Sequence, residues 1–386
     1  MQADGRVQHT DGTFDAQAPV CQYPSYSGRG ARVTPTPPSG IPWAYIEYAH
    51  TSRNPSESTS FGSLAATWTV PLAPSNTSSS DLVLYLFPGL QQAPDSQNLI
   101  IQPVLGWNDR YSGGPANTWC ISSWMWLNEL DLVRHTTPIT VNPNDVIYGA
   151  MSGSDCDQET KICSQWAITT QDQTTSASAT LFVSPTKKFN LAYEGVLEVY
   201  NVNTCNQFPA DGRLTFFEVA LKDYQQNPIP DPGWSWDPLY QYYYNPPLDP
   251  QCWYAGQEAA TELTLYYGLY ATPATLNFGH HYADESPVYL TGTVTNSGTS
   301  SAPIVSIGQY LPAYLLVSGT TCGSTLGAGS SCSITVELHL ANAPVGTIKK
   351  TMAIVYGNGT SAAQLNVPLV ATVSCRYNCF GPVGGP

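Results

Sequence analysis

From residue 41 to residue 267 the chain repeats one pattern: a short run of β-branched, aromatic and aliphatic residues, then a turn rich in Ser, Thr, Asn, Gly or Pro. The runs fall at 41–48, 63–71, 81–89, 98–107, 119–126, 139–149, 166–170, 177–183, 191–200, 213–220 and 262–267. None carries a helical period. Runs this short, with turn residues between them, predict strands of an antiparallel β-sandwich. Around Ala271-Thr-Pro-Ala-Thr the composition shifts toward Gly, Ser, Thr and Val, and a second strand series follows at 288–294, 333–338, 350–356 and 363–369. Its length, about 100 residues, fits one immunoglobulin-like sandwich.

The expected organisation is therefore all-β. Residues 1–40 form an extended arm or pro-segment remnant, 41–270 a first sandwich, 271–373 an immunoglobulin-like sandwich, and 374–386 a tail. The stretch 224–254, crowded with Pro, Tyr and Trp, reads as a long loop, because proline bars regular strand pairing.

Charge excludes some functions. Lys and Arg number 14 against 28 Asp and Glu, a net charge of -14, and no basic cluster exceeds two residues. Phosphate binding needs a positive footprint, so nucleic acid is not an expected partner. No apolar run reaches membrane-spanning length. A chain with few charges, mostly acidic, keeps little net charge once its carboxylates protonate, which favours acid tolerance. The ten cysteines include close pairs (Cys156/Cys163, Cys322/Cys332, Cys375/Cys379) without the histidines or two-residue spacings of metal sites, and so read as disulfides of an oxidising compartment. A bridge across the 322–332 loop contributes roughly 3 kcal/mol in the chain-entropy account. The N-terminus is polar from Met1 onward, so a processed, secreted, extracellular chain is expected.

Two strands carry polar groups that a buried strand rarely holds. Residues 98–107 contain Gln102, and residues 191–200 contain Glu194 and Glu198, four apart. By simple alternation the two glutamates share a face. One carboxylate can act as base toward water and then as acid toward a leaving amine. A neighbouring amide can donate to the developing oxyanion without titrating. No Gly-x-Ser-x-Gly elbow, His-Glu-x-x-His or phosphate-binding Gly-rich loop is present. The His280-His281-Asp284-Glu285 group reads as solvated surface, and no metal or other cofactor is expected. Glu129-Leu-Asp131 lacks the third carboxylate of a laminarinase-type strand, since Arg134 and His135 stand where it belongs.

In order along the chain, Trp43-Ala, Thr67-Trp-Thr-Val-Pro71, Leu99-Ile-Ile-Gln102, Ser123-Trp-Met-Trp126, Ile139-Thr-Val-Asn-Pro-Asn-Asp145-Val-Ile, Tyr193-Glu-Gly-Val-Leu-Glu198-Val and Arg213-Leu-Thr-Phe-Phe resemble the strand motifs of the glutamic peptidases of the eqolisin family. These are acid endopeptidases on a lectin-like (concanavalin A-like) sandwich. The resemblance implies Glu198 as general base and Gln102 as its dyad partner and oxyanion donor. It makes Glu194 a supporting group or fallback base, and lines the substrate cleft with Trp43, Tyr85, Trp107, Trp124 and Trp126. Two departures stand out: Tyr85-Leu-Phe-Pro-Gly89 lacks the family's aspartate, and Trp126 lies nearest the place of a family glutamate. The motif Leu-Thr-Gly-Thr-Val-Thr-Asn-Ser-Gly-Thr with the later Gly-Ala-Gly-Ser-Ser-Cys-Ser-Ile-Thr-Val resembles immunoglobulin-like modules of the abnormal-spindle/hydin type. The expected partner is a protein or peptide substrate, proline-bearing sequences included. The alternative is a polysaccharide ligand stacked on the same aromatics.

Overall fold

Alternating inward and outward side chains build two facing sheets from the first half of the chain, in a computed structural model that describes residues 41–52, 60–79, 81–92, 99–127, 132–240, 252–298 and 300–376. The N-terminal arm with Cys21, the Glu129/Asp131 pair, residues 241–251 and the tail after 376 lie outside the described residues. In chain order the strands are β1 (Ile41–Ser52), β2 (Phe61–Thr69), β3 (Val83–Gln91), β4 (Leu99–Trp107), β5 (Trp119–Leu127), β6 (Leu132–His135), β7 (Ile139–Val141), β8 (Val146–Cys156), β9 (Cys163–Asp172), β10 (Ser178–Val183), β11 (Leu191–Val202), β12 (Arg213–Asp223), β13 (Ser235–Tyr240), β14 (Tyr254–Glu258) and β15 (Leu263–Tyr267). The first sheet runs β13-β1-β11-β3-β4-β5-β6, with β7 also on β5; the second runs β10-β9-β8-β2-β12-β15-β14.

Between the sheets lies one continuous apolar core, in which Leu84, Leu105, Ile121 and Leu197 of the first sheet and Trp68 and Phe216 of the second are fully buried. Each such side chain contributes about 1.5–3 kcal/mol by leaving water. The central strands β3, β4 and β11 are buried along almost their whole length. Their outward side chains form a second apolar cluster of Val83, Tyr85, Phe87, Val104, Tyr193 and Val196.

Two expectations about strands need correction. The run 139–149 is not one strand: Asn144 takes a positive φ of 74° and the Asp145 carboxylate accepts from the Asn142 amide at 2.7 Å, making a turn between β7 and β8. The Pro-rich stretch is not wholly unpaired either. β13 pairs with β1, with Pro238 opposite Glu47; β13 is an edge strand, where a missing amide donor is tolerated.

The second half adds β16 (Tyr270–Thr272), β17 (Leu276–Tyr282), β18 (Val288–Thr295), β19 (Ala302–Ile307), β20 (Leu315–Thr320), β21 (Thr325–Leu326), β22 (Ser331–Leu338), β23 (Gly346–Tyr356) and β24 (Ala363–Ser374). They form a four-stranded sheet, β16-β18-β22-β20, and a five-stranded one, β17-β24-β23-β19-β21. β24 alternates strictly, burying Leu365, Val367, Leu369 and Val373.

The two halves are in contact. The Trp253 ring lies 4.9 Å from that of Tyr356 and packs over Gly357, where a Cβ would lie 2.7 Å from it, while a Cβ on Gly298 would lie 2.8 Å from the Trp253 Cβ. The Tyr356 hydroxyl accepts from the Leu269 amide at 3.0 Å, and the Asn366 amide donates to the Ala210 carbonyl at 2.7 Å. Disulfides join Cys156–Cys163 and Cys322–Cys332, as spacing predicts, and also Cys205–Cys252. Cys375 is disulfide-bonded too.

Candidate active site

On β4, Ile100, Gln102 and Val104 look outward from the first sheet, while Ile101, Leu105 and Trp107 look into the interlayer core, because successive side chains alternate. Gln102 is half-buried and pairs across the ladder with Trp124. Trp124 is fixed by its indole N–H, which donates to the Ser122 hydroxyl at 2.6 Å, and by its ring, 4.8 Å from that of His135. Trp126 is half-buried on the same outer face. Trp107 does not line this face. It packs inside, 5.3 Å from Trp119, since five residues separate it from Gln102 and odd spacings reverse the side. The backbone of Trp43 pairs with Tyr200; its side chain lies outside the described part of the chain.

Glu198 points outward from β11 between Val196 and Tyr200, with Tyr45 on one side in the ladder and Tyr85 on the other. It is 7% exposed. The Tyr200 hydroxyl donates to its Oε1 at 3.0 Å. The Tyr85 hydroxyl donates to Asp109 Oδ1 at 2.8 Å, and Asp109 is also held by the amide and hydroxyl of Ser112. Asp109 sits in the turn after β4, where Asn108 takes a left-handed φ of 57°. That turn folds back over Gly106. A Cβ on Gly106 would lie 2.8 Å from the Asp109 Cβ and 3.0 Å from the Tyr85 ring, so glycine is what allows the carboxylate and the phenol to meet. Burial, and then the negative charge of Asp109, hold the Tyr85 phenol well above the ordinary tyrosine range. Tyr85 is therefore a neutral phenol whose hydrogen is already donated. Asp109 is missing from the sequence-based set, and its only signal there is a carboxylate just past the end of a strand.

The register does not bring Gln102 and Glu198 together. Glu198 pairs with Tyr85; Leu90 pairs with Ile101 on the other side of β3, which places Gln102 beside Gly89. The two side chains therefore stand two strands apart and four residues out of step. At about 3.3 Å per residue and 4.8 Å per strand, their Cα atoms are on the order of 16 Å apart. Between the two rows lies that of Phe87 and Val196, which pair with each other, and both are fully buried on the same face. An apolar row separates the amide from the carboxylate.

Glu194 is also displaced from its expected place. Its two neighbours in the sheet both skip it: Tyr193 pairs with Gly89 and Val196 with Phe87 on one side, Gly195 with Ala49 and Tyr193 with His50 on the other. Glu194 is the extra residue of a β-bulge, and a bulge breaks the even-spacing rule. Instead of sharing a face with Glu198, it turns toward the second sheet, where Glu258 and Glu262 are its charged neighbours. Burial, reinforced by those two, pushes its carboxyl up to about 8. Glu194 is thus neither beside Glu198 nor able to replace it as base.

Among the described residues, no group of three or more His, Cys, Asp and Glu is disposed to hold a metal ion. In the His280/His281 group, His281 lies 3.0 Å from Glu285, and Glu285 accepts from Arg376 at 2.7 Å.

No protein-family model and no curated protein matches the chain. Among solved structures, it is similar to scytalido-glutamic peptidase with a peptide-based transition-state analogue (13% identity, TM-score 0.38, 59% of this chain and 98% of that one). It is similar to SCP-B, a member of the eqolisin family, in complex with the tripeptide Ala-Ile-His (13%, 0.37, 59% and 98%). A weaker likeness is to the VesB protease of Vibrio cholerae (9%, 0.24, 79% and 99%). With all three TM-scores below 0.5, the likeness assigns neither family nor activity to this chain.

Proposed function

We propose that the chain is a secreted hydrolase of peptide bonds, of the glutamic-peptidase kind, with Glu198 as its base. The observation that carries this is a nearly buried carboxylate on an aromatic sheet face, held at one oxygen by Tyr200 and facing the Tyr85–Asp109 pair. Glu198 takes a proton from a water, and the resulting hydroxide adds to the scissile carbonyl. The same carboxyl then returns the proton to the leaving amine. Tyr200 fixes the carboxylate by donating to it. Tyr85, its hydrogen donated to Asp109, offers the site only acceptor capacity. Gln102 is too far away to donate to the same oxyanion, so its part is to hold the substrate main chain. The offset of four residues along the strands is about 13 Å, the length of about four residues of an extended peptide. Phe87, Val104 and Val196 lie between the two points and are buried, so they form the apolar floor that keeps the two points apart. Three disulfides among the described residues support an oxidising, extracellular setting. Residues 41–270 make up the hydrolase sandwich and 271–373 an immunoglobulin-like module in this reading.

A second reading has one observation in its favour. Trp124, Tyr85, Tyr200 and Tyr111 form a continuous row of rings, 6.1, 6.0 and 5.8 Å from one to the next, with Asp109 and Glu198 beside it, an arrangement suited to stacking sugar rings. The test is digestion of denatured casein from about pH 2 to about pH 7 by the unaltered chain, Glu198→Gln and Gln102→Ala, with a glycan-binding panel alongside. The peptidase reading expects cleavage that Glu198→Gln abolishes. Cleavage unchanged in Glu198→Gln removes the base assignment, and glycan binding without proteolysis at any pH favours the second reading.

A further inference from the structure

Two glutamates of the first sheet are buried where no mechanism at Glu198 uses them. Glu47 on β1 and Glu194 at the β11 bulge are both 0% exposed, and none of their four carboxyl oxygens has a hydrogen-bond partner. Both face the β14–β15 edge of the second sheet, Glu47 where β14 begins and Glu194 near the turn between the two strands. The Ala255 amide of β14 is directed at Glu47 and favours its charged form, an effect smaller than that of burial, and Tyr267 of β15 feels its charge. Glu194 faces Glu258 at the end of β14 and Glu262 just before β15. The β12 and β15 side chains nearest the bulge, Phe216 and Leu263, are apolar, and Gly195 is there because a Cβ would lie 2.3 Å from the Phe216 ring. Arg213 acts on Tyr267 and Asp211, not on either glutamate. On β1, His50 pairs with Tyr193, on the outward side of the bulge. Trp236 of β13 closes the arrangement. Its ring covers Gly256 of β14, where a Cβ would touch it at 2.0 Å, and its indole nitrogen is buried without a partner.

A neutral carboxyl tolerates such a place at modest cost, whereas an ionised one without a partner does not, because nothing replaces its water. We propose that Glu47 and Glu194 are a proton-operated latch. With both protonated, the edge β13–β1 closes on β14–β15; once either ionises, water enters and this edge of the sandwich opens. Burial holds both carboxyls above the ordinary range, Glu194 to about 8. The folded pKa values lie above the unfolded ones, so the closed state is favoured in acid. That advantage is lost as pH rises from about 4.5 through about 8. The latch does not depend on Glu198 or on what the outer face binds.

The experiment is hydrogen exchange on the full chain, followed in residues 235–240 and 254–258 from about pH 4 to about pH 9 and corrected for the intrinsic pH dependence of exchange. We expect opening of these two strands to rise by up to tenfold per pH unit for each glutamate that ionises, and Glu47→Gln/Glu194→Gln to flatten that rise. An equal rise in the double variant overturns the proposal. Should that variant fail to fold, infrared spectroscopy of the unaltered chain at about pH 7 decides, above the value of about 6 to which burial raises Asp211 and below the value of about 8 for Glu194. A protonated-carboxyl band is expected, and its absence overturns the latch.

Discussion

Tyr85 and Asp109 are joined by a hydrogen bond of 2.8 Å that crosses from the middle of one strand to the turn after the next. Asp109 is completely buried and satisfied by Tyr85 and Ser112, so it acts on the site through Tyr85. Asp109→Asn keeps the shape but turns one acceptor into a donor aimed at donors. We expect kcat to fall at least tenfold with KM little changed and the pH–rate profile displaced, and stability to fall by about 1–3 kcal/mol. Tyr85→Phe should reproduce the kinetic effect with a smaller loss of stability. Steady-state kinetics and thermal melts on both variants check this.

Gln102→Ala tests the separation between the amide and Glu198. An oxyanion donor would lower kcat by about 10²–10³. A main-chain holder should raise KM and spare kcat, and should do so for long peptides but not for those of about three residues. Comparing substrates of graded length distinguishes the two roles.

Asp211 gives a pH dependence of its own. Its oxygens accept from the Leu72 amide at 3.1 Å and the Tyr267 hydroxyl at 3.2 Å, yet burial still pushes its carboxyl up to about 6. Between about pH 4 and that value the folded chain holds a proton that the unfolded chain has lost. Stability from this group therefore falls as pH rises, by up to about 1.4 kcal/mol per unit. Denaturant titrations at several pH values should show Asp211→Asn with a shallower slope in that interval and no difference below it.

Trp253 is the wedge between the two halves. Replacing it with alanine leaves Tyr356, Gly298 and Gly357 around a cavity, and should cost about 3–5 kcal/mol. Calorimetry should then resolve two transitions, against the single one expected of the unaltered chain.

Gly256→Ala tests the packing of β13 on β14. The new methyl would overlap the Trp236 ring, so we expect a loss of about 1–3 kcal/mol, confined to exchange rates at that edge.

Alternation carries sequence reading a long way here. The strands at 41–48, 63–71, 98–107 and 191–200 are all present, because a β-branched, aromatic run between Ser/Thr/Gly turns has few other folded outcomes. Parity alone also separates Trp107 from Gln102. Glu194 could not be placed this way: counting by twos assumes an unbroken pleat, and the bulge falls on the residue in question. The distance from Gln102 to Glu198 was equally hidden, since it depends on how β3 registers with both β4 and β11. Each strand is legible by itself, but the offset between them is set by pairings that are long-range in sequence. Asp109 was missed for the same reason: what it faces is chosen by β3.

The parallel pairing of β17 with β24 joins Leu276 to Leu369, 93 positions on. During synthesis, β17 has to wait for the last of the described strands before its neighbour exists. Until then β17 and β23 both present open ladder edges, the kind of surface that recruits other chains. A ribosome-bound intermediate stalled before Ala363 should therefore need a holding chaperone, whereas one released after Ser374 should not. The final strand sets when the whole second half becomes safe from aggregation.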